Sequence, residues 1–167
     1  MNVNVKTIYI APKLKRFVAY LLDFLPILFI VYYVFINFTG YSVLFEEYLV
    51  QAEGGMVAYE DLSPAFVNYT NIINTVSIVV LGLYGAVAEG SSYRATLGKR
   101  LMKIKVGDKF GNAIDGGLAF KRNVLKILVL NIFPILGVWV MFDSKNRGVY
   151  DIFSKTLVVS AKDYSDR

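Results

Sequence analysis

The stretch Phe17–Phe38 constrains this chain more than any other feature. It is twenty-two residues long, almost wholly apolar, and charged only at Asp23. As a helix it reaches about 33 Å, enough to cross a bilayer core of roughly 30 Å. A carboxylate inside such a segment costs about 2.5–3.5 kcal/mol on insertion scales, so Asp23 must be neutral, paired, or turned toward water or protein. The run exceeds the roughly 7–15-residue core of a signal peptide, and Asn37, Phe38 and Thr39 follow it instead of small cleavage-site residues. It is therefore expected to be a retained helix.

A second uncharged run, Ala65–Ala88, has twenty-four residues. Lys6, Lys13, Lys15 and Arg16 precede the first run, and Arg94, Lys99, Arg100, Lys103, Lys105 and Lys109 follow the second. Between the runs, Thr39–Pro64 carries Glu46, Glu47, Glu53, Glu60 and Asp61 and no basic residue. The positive-inside rule then places the N-terminus and everything after Glu89 in the cytoplasm, with the acidic segment outside. A third apolar stretch, Val124–Phe142, is interrupted by Lys126, Asn131 and Pro134 and has basic residues on both flanks. A helix that breaks near Asn131–Pro134 and re-enters fits those flanks, and a full third crossing is the alternative.

The remaining chain offers little for catalysis. It has no cysteine and no histidine, which removes thiol chemistry, thiolate or imidazole metal sites and a Ser-His-Asp triad. Gly98-Lys99 lacks the partners of a phosphate-binding loop, since Tyr93 stands where a glycine is needed and Arg100 where Ser or Thr is needed. No enzyme activity, cofactor, metal or nucleic-acid partner is expected. Leu101–Val106 alternates in polarity, Asp108–Asn112 supplies turn residues, and Leu157–Ser160 is β-branched, so a small hairpin or sheet against the membrane face is expected. The fold class is a mainly α-helical membrane protein, with two transmembrane helices, the third segment, and this small cytoplasmic sheet. Residues 12–161 form the membrane domain between an N-terminal tail (1–11) and a C-terminal tail (162–167).

Within the second run, Asn68, Thr75, Gly82 and Glu89 recur every seven residues, with Asn71 and Gly85 between them. That spacing puts all six on one helical face. The face reads either as packing surface or as a hydrophilic path ending at Glu89. Asp23 and Glu89, with Asn71 and Thr75, are the candidate ion- or ligand-binding set. Lys99, Arg100 and Arg122 are candidate ion-pair partners for Asp23.

Four short blocks, in order, resemble the RDD family of small membrane proteins. Arg16–Asp23 (Arg-Phe-Val-Ala-Tyr-Leu-Leu-Asp) resembles the family's first block. Ala95–Val106 resembles its Thr-Pro-Gly-Lys block, with Leu97 in place of proline. Phe120–Asn123 resembles the start of its last helical region, and Val149–Thr156 its final block, with Tyr150 in place of histidine. The resemblance makes Arg16, Asp23 and Asp151 the family-motif charges. It implies transport of unidentified ligands, with cation/proton antiport the activity proposed for one member. Two function classes follow. One is a small transporter, which needs a homo-oligomer because so few helices enclose no pore. The other is a non-catalytic membrane adaptor or assembly factor. In both, the partners are an anionic lipid surface, further copies or a membrane protein, in the cytoplasmic (inner) membrane of a bacterium.

Overall fold

The computed structural model describes residues 9–132, 143 and 146–161. In chain order the elements are α1 (Lys13–Phe38), α2 (Tyr41–Glu53), a 3-10 turn (Tyr59–Asp61), α3 (Pro64–Gly90), α4 (Leu97–Leu101), β1 (Ile104–Asp108), α5 (Gly116–Ile132), α6 (Val149–Ser154) and β2 (Thr156–Ser160). α1 and α3 are both long and apolar enough to cross a membrane. Only 17% and 28% of their most apolar windows are buried, whereas a soluble core helix buries most of its apolar face. Exposed Phe17, Phe29, Ile30, Tyr33, Leu83 and Val87 make the same point residue by residue. Leaving each such side chain in water forgoes about 1.5–3 kcal/mol. The expected break in the third apolar stretch lies mostly outside the described residues; α5 runs to Ile132, and Pro134 is not among them.

The chain divides into two compact units, residues 24–80 and the remainder. Residues 24–80 contain the whole of the acidic segment. Half of it is helix, because Leu44, Glu46, Glu47, Leu49, Gln51 and Ala52 are strong helix formers. Gly54 and Gly55 end α2, the latter at φ +131°. Ser63 then starts α3, accepting the Phe66 N–H at 3.2 Å, with Pro64 at the first helical position. Tyr41 fills the centre of this unit. Its ring lies 5.8 Å from Phe66 in a stacked arrangement and 6.1 Å edge-on from Tyr32, while Val31 and Ile73 close the cluster.

The other unit is organised by the strand pair. β1 and β2 are antiparallel, with Ile104 opposite Ser160 and Val106 opposite Val158. They come from distant parts of the chain, so they form a sheet and not a local hairpin. The strand also starts later than the alternation predicts, because Leu101 closes α4 and the chain turns at Met102–Lys103. The Tyr9–Ala11 segment joins β2 on its other side through the Ile10–Val159 bridge and the Ala11 N–H to Val158 O bond of 2.9 Å. Ile104, Val106 and Val158 point inward onto Ala11, Ala19, Ile114 and Ala119.

Candidate functional site

Inside this second unit, five charged side chains from five helices form one buried chain. Arg16, in the first turn of α1, donates to Asp151 on α6 and to the Asn146 carbonyl. Arg122, on α5, donates from Nε to Asp151 Oδ1 at 2.8 Å and from Nη1 to Glu89, near the end of α3. Lys99, on α4, donates to the other Glu89 oxygen. Asn123 Nδ2 adds a 2.8 Å bond to Glu89 Oε2, and the Gly148 N–H donates to Asp151 Oδ2 at 3.0 Å. Three cations and two carboxylates leave one net positive charge among Arg16, Arg122, Lys99, Glu89 and Asp151.

Sequence spacing explains how the elements reach one point. The small residues of the repeating α3 face let α5 approach. A Cβ at Gly85 would overlap the Asn123 side chain, which is the same amide that binds Glu89 one turn further on. Asn123 Oδ1 is buried there without a hydrogen-bond partner among the described residues.

Asp23 belongs to a separate set. Its carboxylate accepts from Thr96 Oγ1 at 2.5 Å and from the Gly98 N–H at 2.8 Å. The adjacent Leu97 N–H donates to the Tyr84 hydroxyl at 2.7 Å. Helix starts leave their first N–H groups without internal partners. Here α1 and α3 supply those partners to α4. Gly98 is required by the close approach, since a Cβ would run into the Ala19 carbonyl and sit 3.0 Å from the Asp23 carboxylate. The Thr-Leu-Gly-Lys block is thus a docked helix start, its threonine and glycine serving Asp23 and its lysine serving Glu89.

The expected pairing of Asp23 with Lys99, Arg100 or Arg122 is therefore corrected. Lys99 and Arg122 go to Glu89, and the Arg100 guanidinium stacks 4.1 Å over the Tyr93 ring. A buried carboxylate needs hydrogen-bond donors, and a hydroxyl plus an amide N–H already meet that need. Arg16 likewise reaches Asp151 and not Asp23. The four candidate ligand residues do not converge. Asp23 and Glu89 sit in separate sets, while Asn71 and Thr75 are exposed on α3 within residues 24–80. Gly82, Gly85 and Glu89 are buried, so the Glu89 end of the repeating face is packing surface.

Two residues of the basic run turn inward instead of standing in solvent. One is Lys99. The other is Arg94, held at φ +56° and donating to the carbonyls of Val106, Gly111 and Asn112 at 2.8–3.1 Å. It clamps the turn after β1. Its sequence neighbourhood gives no hint of this, because one arginine in a basic run looks like any other.

Electrostatics fix the protonation states outside the spans. Burial alone would raise Asp151, but Arg122 and Arg16 outweigh it and hold the carboxyl at about 2. Burial works against the Arg122 cation, and Glu89 and Asp151 more than restore it. Burial lowers Lys99, with Glu89 acting in opposition. Burial also raises Tyr150, whose ring lies 5.2 Å from the Arg122 guanidinium.

Two apolar helices of membrane-spanning length, tied at one end to a small sheet by a buried chain of ion pairs, define a small helical membrane domain. The chain belongs to the RDD family, a family of membrane proteins, which matches residues 10–155. The resemblance read from the four blocks is thereby established. The chain is also similar to "Uncharacterized protein YxaI" of Bacillus subtilis (strain 168), at 30% identity covering 86% of this chain and 93% of that protein. No solved structure matches it.

Proposed function

We propose that this RDD protein is a non-catalytic membrane adaptor or assembly factor whose buried charges lock its helices. One observation carries this: every carboxylate oxygen of Asp23, Glu89 and Asp151 already accepts a hydrogen bond from the chain itself. At Glu89 or Asp151 a cation entering would have to displace an ammonium or guanidinium from a cluster that is already net positive, at a cost of several kcal/mol per uncompensated buried charge. The exposed polar stripe of α3, with Asn68, Asn71 and Thr75, offers hydrogen-bonding contact to a membrane partner or second copy. Charge asymmetry supports cytoplasmic ends and an outer acidic segment in a bacterial inner membrane.

Cation/proton antiport is the second reading. The unpartnered Asn123 Oδ1, on the side chain that binds Glu89, favours it, since a buried acceptor without a donor invites a ligand. Liposome flux separates the two. Purified protein under an imposed pH gradient is expected to match empty liposomes when Na⁺ or K⁺ is added. Dissipation that disappears in both Asp23→Asn and Glu89→Gln, with folding intact, overturns the adaptor. Orientation is tested with Glu46→Cys and Lys109→Cys, each the sole thiol in a cysteine-free chain. An impermeant reagent applied from outside should label the first and not the second.

A further inference from the structure

Within residues 24–80, α3 turns Phe66, Tyr69, Ile73 and Val76 onto the Tyr41 cluster. At about 100° per residue, the opposite side of the helix carries Asn68, Asn71, Asn74 and Thr75 within about 120°. All four are exposed and uncharged. Polar residues nearer the core are satisfied inside the chain. Ser77 Oγ donates to the Ile73 carbonyl at 2.8 Å, and the Thr70 and Tyr41 hydroxyls lie 3.3 Å apart. The four exposed side chains make no hydrogen bond among the described residues.

Their depth makes this costly. Pro64 opens a helix of 27 residues, so Asn71 and Thr75 lie roughly 10 and 16 Å along it, past the edge of a bilayer core of roughly 30 Å centred on the helix. Lipid tails offer an amide neither donor nor acceptor, and a polar group left there without one is penalised. The stripe therefore needs a cover that brings hydrogen-bonding groups of its own.

We infer that a second copy of this chain covers it, α3 against α3 about a two-fold axis. This rests on the adaptor reading, in which the stripe faces a membrane neighbour, and it names that neighbour. A carboxamide carries two donors and an acceptor, so identical stripes satisfy each other. A two-fold axis brings residues near the axis to their own counterparts. A neutral group that both gives and accepts a hydrogen bond suits that meeting, and a charge does not. Asn68, Asn71 and Thr75 are spaced by three and then four, which is the seam of two helices coiling left-handed. The stripe itself carries no charge, so a partner of either sign gains nothing from it that another copy lacks.

The test places the full chain in phosphatidylcholine vesicles, with single thiols introduced into a sequence that has none. Mild oxidation should join two copies through Asn71→Cys and through Thr75→Cys. It should not do so through Val80→Cys, which is also exposed but lies across the helix. Energy transfer between copies labelled at Lys109→Cys, diluted with lipid, gives the dissociation constant of the pair. Asn71→Leu should raise that constant about tenfold, the loss of two symmetric hydrogen bonds. Leucine makes the span more apolar, so the variant still inserts and its lost pairing is not lost folding. Equal cross-linking through Val80→Cys, an unchanged constant in Asn71→Leu, or a monomer at every dilution overturns the second copy. A monomer without cation flux leaves the adaptor standing with a different partner. Flux from a pair that Asn71→Leu weakens overturns the adaptor and supports the pair.

Discussion

Residues 24–80 close on rings, whereas the sheet-bearing unit closes on charges. Around Tyr41 the contacts are with Tyr32, Phe45, Phe66 and Tyr69, at centroid distances of 5.8–6.1 Å. Each aromatic pair contributes about 0.5–1.5 kcal/mol beyond its area, so losing one leaves the others standing. The ion-pair chain behaves differently. Removing Arg122 leaves Glu89 and Asp151 buried and short of a partner each, which costs more than the pair itself contributes. The comparison teaches that the ring cluster tolerates wear and the charge chain specifies an arrangement.

The largest expected effect follows from that asymmetry. Arg122→Ala should lower stability by about 3–5 kcal/mol, seen as an early thermal transition in detergent. Arg122→Lys should recover only part, because one ammonium cannot span both carboxylates. A loss below that of Tyr41→Phe would dissolve the contrast between the units. Tyr41→Ala comes next, at about 3 kcal/mol for an emptied aromatic site. Tyr41→Phe should cost only about 0.5–1.5 kcal/mol, the value of the 3.3 Å hydroxyl contact with Thr70.

Asp23→Ala strands the Thr96 hydroxyl and the Gly98 N–H in a buried place, and about 2–3 kcal/mol is expected. Asp23→Asn should be milder, since an amide oxygen still accepts from Gly98. Faster hydrogen exchange at the start of α4, in the alanine variant alone, is the expected readout. Equal exchange in both variants would mean that Asp23 does not hold α4.

Acid should separate the units without any substitution. The Asp151 carboxyl lies at about 2 in the folded chain against an ordinary 3.8. A depressed carboxyl stabilises above its unfolded value and loses that contribution as pH falls through the folded one. About 2 kcal/mol should therefore disappear between roughly pH 4 and 2. Amide exchange in β1 and β2, corrected for its intrinsic pH dependence, should rise over that window more than exchange in α2. A parallel rise in both would contradict the assignment. The smallest effect belongs to Arg147→Ala. That residue pairs with Asp143 at 3.2 Å, one helical turn's spacing away and 30% exposed, so less than about 0.5 kcal/mol should be lost on melting.

Much of the architecture is legible in order of residues. Two uncharged runs give α1 and α3, because length and apolarity are properties of consecutive residues. The alternation near Val106 and the β-branched Leu157–Ser160 give the strand pair. The acidic segment shows how a charge pattern hides a helix, since its lack of Lys and Arg sets its expected side of the membrane while Glu46 and Glu47 help form α2. The site is less legible. Asp23, Glu89, Arg16 and Asp151 stand out as charges beside apolar runs, yet nothing local says which meets which. Lys99 follows Glu89 by ten positions and Arg122 by thirty-three, and both pair with it; Arg100, next to Lys99, does not.

The sequence by itself determined the elements, the segregation of charge and the presence of buried ionisable groups, since insertion cost and helix reach depend only on what lies within one stretch. The tertiary structure alone decided that Asp23 holds the start of α4, that Glu89 and Asp151 share Arg122, and that Arg94 clamps a turn. Those choices depend on which donors arrive within about 3 Å of a buried oxygen. That is settled by the close approach of backbones at Gly85 and Gly98, and not by distance along the chain.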